Sequence, residues 1–247
     1  MMSVLSSFDT IRSSLLGSRR STVLSAHELR ALKAVQGGDG RAFSMYGHTV
    51  DQFERRGFRL VGRTALEAID DHDCRLIGDA LQNWLVKPLA YVCDPFCGSA
   101  NLLVALADRF RATAVGIEAD ESVHEATQHN LRLLNHRDIS LTLRSNGPFV
   151  PASVDSEDVY ILDPPWGPAL ANGSLNLAKT SPSVIDIIDR ISHCRKGRPY
   201  IAVLKMNDNV TIESWQPILF RCKHVKLVAH PCNLEPGMNT VYALLSV

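Results

Sequence analysis

The chain has no charge of either sign to spare: 26 Lys and Arg stand against 26 Asp and Glu in 247 residues. A protein that wraps duplex nucleic acid carries a basic excess to neutralise phosphates, so composition disfavours that role and leaves only a local patch for it. Cysteine is sparse too. Cys74, Cys93, Cys97, Cys194, Cys222 and Cys232 include no Cys-x-x-Cys pair, and no histidine cluster completes a zinc spacing. A metal site is therefore not expected. Scattered through apolar stretches, the thiols read as reduced, mostly buried residues of a cytoplasmic protein. No apolar run approaches the ~20 residues that span a bilayer, so no membrane partner is expected. Collagenous, coiled-coil and disordered biases are missing as well. What remains is a chain 45% hydrophobic, long enough to bury a sizeable core without a disulfide scaffold.

The first 24 residues are Ser-rich, with Arg12, Arg19, Arg20 and the single acid Asp9. They read as a soluble N-terminal helix in preference to a transit peptide of similar composition. Residues 1–88 read as helical, with a break at Gly37-Gly-Asp-Gly40, and carry 12 Lys and Arg against 10 Asp and Glu, so they do not form a basic arm. Ser25-Ala-His-Glu28 resembles a capping box ahead of Leu29, Leu32 and Val35. A second helix is expected from about Ala65 to Trp84, and Phe43, Tyr46, Phe53 and Phe58 precede it without strand alternation.

From Leu89 the character changes to short apolar strands alternating with helices. Strands are expected at Leu89–Asp94, Thr113–Glu118, Ile139–Leu143, Asp158–Leu162 and Tyr200–Lys205, and helices at Ala100–Phe110, Glu121–Leu134 and Ser183–Cys194. Val225–Ala229 and Thr240–Val247 read as an antiparallel hairpin joined through Pro231–Asn239. Alternating βα units give a doubly wound α/β sheet, mostly parallel, of about seven strands. The expected division is a helical lid over residues 1–88 and a Rossmann-like catalytic domain over residues 89–247.

Four segments carry chemistry. In Cys93-Asp-Pro-Phe-Cys-Gly-Ser-Ala-Asn-Leu102, Asp94 ends a strand, Gly98 permits a tight turn and a helix follows at once. That geometry sets backbone N–H groups against a ligand at the carboxyl end of the sheet. The spacing is not that of a dinucleotide pyrophosphate loop, and a leading acid suits a cationic amine better than a phosphate. Val115-Gly-Ile-Glu118 places a second acid at the next strand tip, 24 residues on, where it reaches ribose hydroxyls or else complements a helix dipole. Arg144-Ser-Asn-Gly147 follows the third strand, where Asn146 or Ser145 reaches an adenine edge or simply forms an Asn-Gly turn. Fourth comes Ile161-Leu-Asp-Pro-Pro-Trp-Gly-Pro168. Two prolines stiffen the chain and remove two donors, leaving the Asp163 carboxylate and carbonyls beside a flat indole wall.

Together these segments resemble the class I S-adenosylmethionine (SAM)-dependent methyltransferases over about residues 89–247, in the branch whose Asp-Pro-Pro-Trp motif acts on amine nitrogens. Asp-Pro-Pro-Trp-Gly-Pro and the closing Asn239-Thr-Val-Tyr-Ala are similar to the trimethylguanosine synthase family, which methylates the guanine N2 of RNA caps. Trp166-Gly-Pro168 lacks the second glycine of that family, and no Lys/Arg cluster in the N-terminal segment matches cap phosphates. The resemblance implies that Asp94 and the loop Phe96, Gly98, Ser99 and Asn101 hold the amino acid moiety of SAM, Glu118 the ribose and Asn146 the adenine. It implies that Asp163, Pro164 and Trp166 face the reacting amine, with no metal. The framework is also similar to that of bacterial azetidine-2-carboxylate synthases. In those enzymes SAM is the sole substrate, and its own amine closes the ring to release methylthioadenosine.

The expected activity is thus attack by an amine nitrogen on a carbon of the sulfonium. An N-methyltransferase for a small-molecule or nucleobase amine comes first, and a SAM cyclase or lyase is the alternative. Phe43, Tyr46 and Phe53 are expected on the covering segment, at least one near the sulfonium. An aromatic seal favours the cyclase, whereas an open channel lined by Arg55, Arg56 or Arg59 favours a nucleobase acceptor.

Overall fold

Runs such as Tyr91-Val-Cys93 and Val159-Tyr-Ile-Leu162 are apolar at consecutive positions because both faces of their strands are covered. The computed structural model describes residues 10–35, 43–136, 139–143, 157–229 and 239–247. Its main sheet contains β1 (Leu89–Asp94), β2 (Thr113–Glu118), β3 (Ile139–Leu143), β4 (Glu157–Leu162), β5 (Ile201–Asn207), β6 (His224–Ala229) and β7 (Thr240–Ser246). Across the sheet the order is β6-β7-β5-β4-β1-β2-β3. β1 to β5 pair in parallel, and β7 lies antiparallel between β5 and β6. The expected doubly wound, mostly parallel sheet is present, with its terminal antiparallel pair at one edge. The connection through residues 230–238 lies outside the described residues.

Eight helices are assigned by residue range among the described residues: α1 (Ala26–Val35), α2 (Val50–Arg55), α3 (Gly62–Glu67), α4 (Asp71–Gln82), α5 (Asn101–Phe110), α6 (Glu121–Leu133), α7 (Val184–Cys194) and α8 (Ile212–Leu219). Residues 10–16 are helical as well. Strand alternation sorts the core into two layers. Val92, Val159, Ile161, Val203 and Leu244 face a cluster built from α5 and the N-terminal segment. Cys93, Tyr160, Leu162, Leu204 and Ala243 face α7 and α8. Leu15, Leu29, Phe53 and Ile77 belong to the first cluster, so the N-terminal segment shares its core with the sheet.

The capping box at α1 forms: the Ser25 N–H donates to Glu28 Oε2 at 2.9 Å and the Glu28 N–H to Ser25 Oγ at 3.3 Å. The single helix expected from Ala65 to Trp84 is instead two. Ala68 is extended, and Asp70 Oδ1 accepts the N–H groups of His72 and Asp73 at 2.9 and 3.0 Å, starting α4 anew. That break turns residues 67–69 toward the carboxyl ends of the strands. α3 is held from the other side by residues 20–24, whose backbone bonds to residues 60–63. The approach is close: a Cβ on Gly62 would lie 2.4 Å from the Arg19 carbonyl oxygen, so only glycine fits. α8 escapes the sequence reading because Pro217 sits inside it. No helix among the described residues is long and apolar enough to cross a membrane.

Candidate active site

From β1 the chain winds through β2 and β3 to one side, and from β4 through β5 to the other. The reversal between β1 and β4 leaves a crevice at their carboxyl ends, where open α/β sheets bind ligands. A cavity of about 630 Å³ occupies it, within the ~300–1,000 Å³ typical of small-molecule sites. Asp94, Phe96, Gly98, Ser99, Asn101 and Glu118 line one side, and Asp163, Pro164 and Trp166 the other. Three of the four segments picked out in sequence are therefore brought to one volume. Asn146 lies outside the described residues.

The loop after β1 contains two left-handed residues, Gly98 (φ 50°) and Ala100 (φ 57°), which reverse the chain directly into α5. Glu118 Oε2 accepts the Gly98 N–H at 3.1 Å and Oε1 the Asp120 N–H at 2.7 Å, so one carboxylate fixes both strand-tip loops. Each oxygen retains acceptor capacity. Asp94 is 5% exposed and accepts the Phe96 N–H at 2.9 Å. Burial pushes its carboxyl well above the usual range, the Phe96 amide opposes this, and Asp163 and Glu118 add to it. A buried acid of that kind favours a cationic partner.

Asn101 plays a different part from the one expected. Its Oδ1 accepts the Tyr46 N–H at 2.7 Å, and its Nδ2 donates to the Ile69 carbonyl and Asp71 Oδ1 at 2.8 and 3.1 Å. With its amide so engaged, the side chain ties the N-terminal segment to α5. Phe43, Tyr46 and Phe53 do not line the cavity. They are buried behind the loop, where Tyr46 and Phe53 stack at 6.2 Å and both meet Phe58. Tyr46 touches the site only as support, donating its hydroxyl to the Ser99 carbonyl. The cover comes from residues 12–20 and 63–69, which contribute Leu16, Leu66, Ile69, Arg12, Arg20 and Arg63. Arg55, Arg56 and Arg59 are exposed and off the cavity.

Arg63 lies 3.3 Å from Glu67, 3.8 Å from Glu118 and 3.7 Å from Asp120, and Arg20 reaches Asp120 at 3.0 Å. These ion pairs fasten the cover to the β2 tip. On the β4 side, Asp163 is paired: Lys205 Nζ donates to its Oδ2 at 2.8 Å and to the Glu67 carbonyl oxygen at 2.8 Å. The same ammonium lies 6.0 Å from the centre of the Trp166 ring. The Trp166 indole N–H is buried and without a hydrogen-bond partner among the described residues. Lys205 and Glu67 were not singled out in the sequence. The available signal was a lone charge in the apolar strand Ile201-Ala-Val-Leu-Lys-Met206.

No protein-family model matches the chain, and no curated protein matches it. Solved structures similar to it include methyltransferases. The precorrin-6y C5,15-methyltransferase from Geobacter metallireducens GS-15 is 13% identical over 72% of this chain and 88% of its own, with a TM-score of 0.47. The METTL16 MTase domain is 12% identical over 96% of this chain and 90% of its own, at 0.48. A geranyl diphosphate methyltransferase in complex with GPP and sinefungin is 12% identical over 96% and 98%, also at 0.48. The fold assignment rests on the strand order and register given above.

Proposed function

We propose that the chain is a SAM-dependent N-methyltransferase for a small-molecule or nucleobase amine. The observation that carries this reading is the single cavity of about 630 Å³ that takes in both the Asp94–Glu118 acids and the Asp163–Trp166 motif. Asp94 and the Gly98 loop would hold the amino acid moiety and Glu118 the ribose, as acids at adjacent strand tips suit an ammonium and a diol. In the transfer, the acceptor nitrogen forms a bond to the methyl carbon while the C–S bond breaks. Sulfur keeps the bonding pair, and the proton lost from nitrogen passes to Asp163 Oδ1 and from there to water. Asp163 Oδ2 is occupied by Lys205, so Oδ1 is the oxygen left to orient the acceptor N–H. Positioning of this kind supplies much of the rate, and the Trp166 face offers a wall for a planar or cationic group.

An aromatic seal over the pocket would favour ring closure within SAM. The cover instead presents aliphatic residues and three arginines, which supports an external acceptor. The test is to incubate the protein with SAM alone and with a panel of amines, and to weigh the adenosine product. S-adenosylhomocysteine formed only when an amine is present supports methyl transfer. Methylthioadenosine from SAM alone assigns the cyclase and overturns it.

Asp94 supplies a separate check. Its carboxyl is raised by burial in the free protein, so it retains a proton to higher pH than an exposed acid. An ammonium placed against it favours the ionised form. SAM binding should therefore release protons at mildly acidic pH, measured as heats in buffers of different ionisation enthalpy. Proton uptake would place the amine elsewhere.

A further inference from the structure

We propose that Lys205 is the positioning residue of the site, holding the Asp163 carboxylate toward the acceptor and the covering segment over it through a single ammonium. The inference rests on the methyltransferase reading for its kinetic consequences, though not for its geometry.

Three strands of observation meet at Lys205. The register of β4 on β5 sets Leu162 beside Leu204, so the next residues, Asp163 just past the end of β4 and Lys205 near the end of β5, lie side by side. One ammonium then bridges two elements distant in sequence: Asp163 Oδ2 after β4 and the Glu67 carbonyl at the end of α3, each at 2.8 Å. An ammonium has three N–H donors, so both bonds form without competition. Finally, Lys205 lines the cavity and lies 6.0 Å from the Trp166 ring centre, within reach of the volume an acceptor would enter.

The electrostatic surroundings explain why a cation is needed there. Glu67 from α3, Asp73 from α4, Asp94 from β1 and Asp163 all act on or feel the Lys205 charge, and Glu118 acts on Asp94. Arg63 faces Glu67, and Tyr242 from β7 donates its hydroxyl to Asp73 Oδ2 at 2.7 Å. Burial works against the Lys205 ammonium, but Asp163, Glu67 and Asp73 outweigh it, so its pKa stands above the ordinary lysine value. The Glu67 carboxyl, half-exposed and 3.3 Å from Arg63, is raised by its partial burial, and Arg63 and Lys205 restrain the rise. Remove the ammonium and the Asp94 and Glu67 carboxyls, both already raised, lose a cation that restrains them, so they take up a proton at higher pH. The cover also loses its tie to the β4 loop.

The test compares Lys205→Met, which keeps the stem and loses the charge, with Lys205→Arg, which keeps the charge. Thermal melts establish that each is folded. The expectation for K205M is SAM affinity within about threefold of wild type, turnover at neutral pH lower by at least about 100-fold, and an acid limb of the pH–rate profile at least about one pH unit higher. K205R should restore the limb and part of the rate. Turnover within threefold of wild type, or a loss with the limb unmoved in K205M, overturns the proposal. A carbon-13 carboxyl titration of the ligand-free proteins separates this from the functional reading. If wild type neither binds nor consumes SAM, the methyltransferase reading falls. The Glu67 carboxyl must still titrate higher in K205M than in wild type, and an unshifted Glu67 overturns the Lys205 assignment.

Discussion

Asp163→Asn should bind SAM as wild type does and turn it over about 10²–10⁴-fold more slowly, the span that one positioned proton acceptor contributes. The isostere keeps the shape of the loop, which Pro164 and Pro165 already stiffen. It changes the charge. Lys205 engages Oδ2, so in the proposed transfer the remaining oxygen accepts the N–H whose acidity rises as the C–N bond forms. A neutral amide accepts weakly with its oxygen and not at all with its nitrogen. SAM affinity is spared because Asp94 and Glu118 lie across the crevice on β1 and β2. Single-turnover kinetics beside a SAM titration make the comparison. Near-normal turnover in the variant would place the reacting amine away from the Asp-Pro-Pro-Trp loop.

The largest effect on stability is expected at the opposite end of β4. Asp158 is fully buried and Arg195 is 2% exposed. The guanidinium donates to Asp158 Oδ2, to the Pro199 carbonyl at 2.7 Å and to the Arg198 carbonyl at 3.1 Å. It also packs over the rings of Tyr160 and Tyr200. Asp158→Ala leaves that cation buried without a counter-charge, which costs about 3–5 kcal/mol. Total stability for a domain is about 5–15 kcal/mol, so the variant should melt far earlier or fail to accumulate. Asp158→Leu combined with Arg195→Met removes both charges and should recover most of the loss. Equilibrium unfolding in urea decides it. A change below about 1 kcal/mol in the single variant would mean that the guanidinium relaxes to solvent. Asp163 lies five residues farther along, about 16 Å at ~3.3 Å per residue, so SAM affinity of the folded fraction should not change.

How much of this was legible in sequence depended on whether the determinant was local. Strand tips were legible: an apolar run ending in Asp94, Glu118 or Asp163 shows both the burial and the point where the chain reaches the crevice. The capping box at Ser25 was equally local. Helix continuity between Ala65 and Trp84 was not, because helical composition runs on while Asp70 caps a new start. The side of the loop on which Phe43, Tyr46 and Phe53 fall is set by their stacking on Phe58, and aromatic content alone does not reveal it. Lys205 was hidden for a related reason. Its role comes from the register of β4 on β5 and from the carbonyl of Glu67, a residue 138 positions away. A motif reading centred on Asp163 sees neither.

The central claim is that this crevice binds SAM between the β1 and β2 acids. Calorimetric titration of SAM into wild type, Glu118→Ala and Asp94→Asn tests it most directly. Wild type should saturate at about 1 μM–1 mM SAM, the range in which enzymes meet their substrates. Glu118→Ala should bind at least about tenfold more weakly, a loss of about 1.4 kcal/mol, because it removes the proposed ribose acceptor and frees the Gly98 loop. Asp94→Asn should weaken binding and abolish the proton release. No saturable binding to wild type, or equal affinity in all three proteins, would contradict the account.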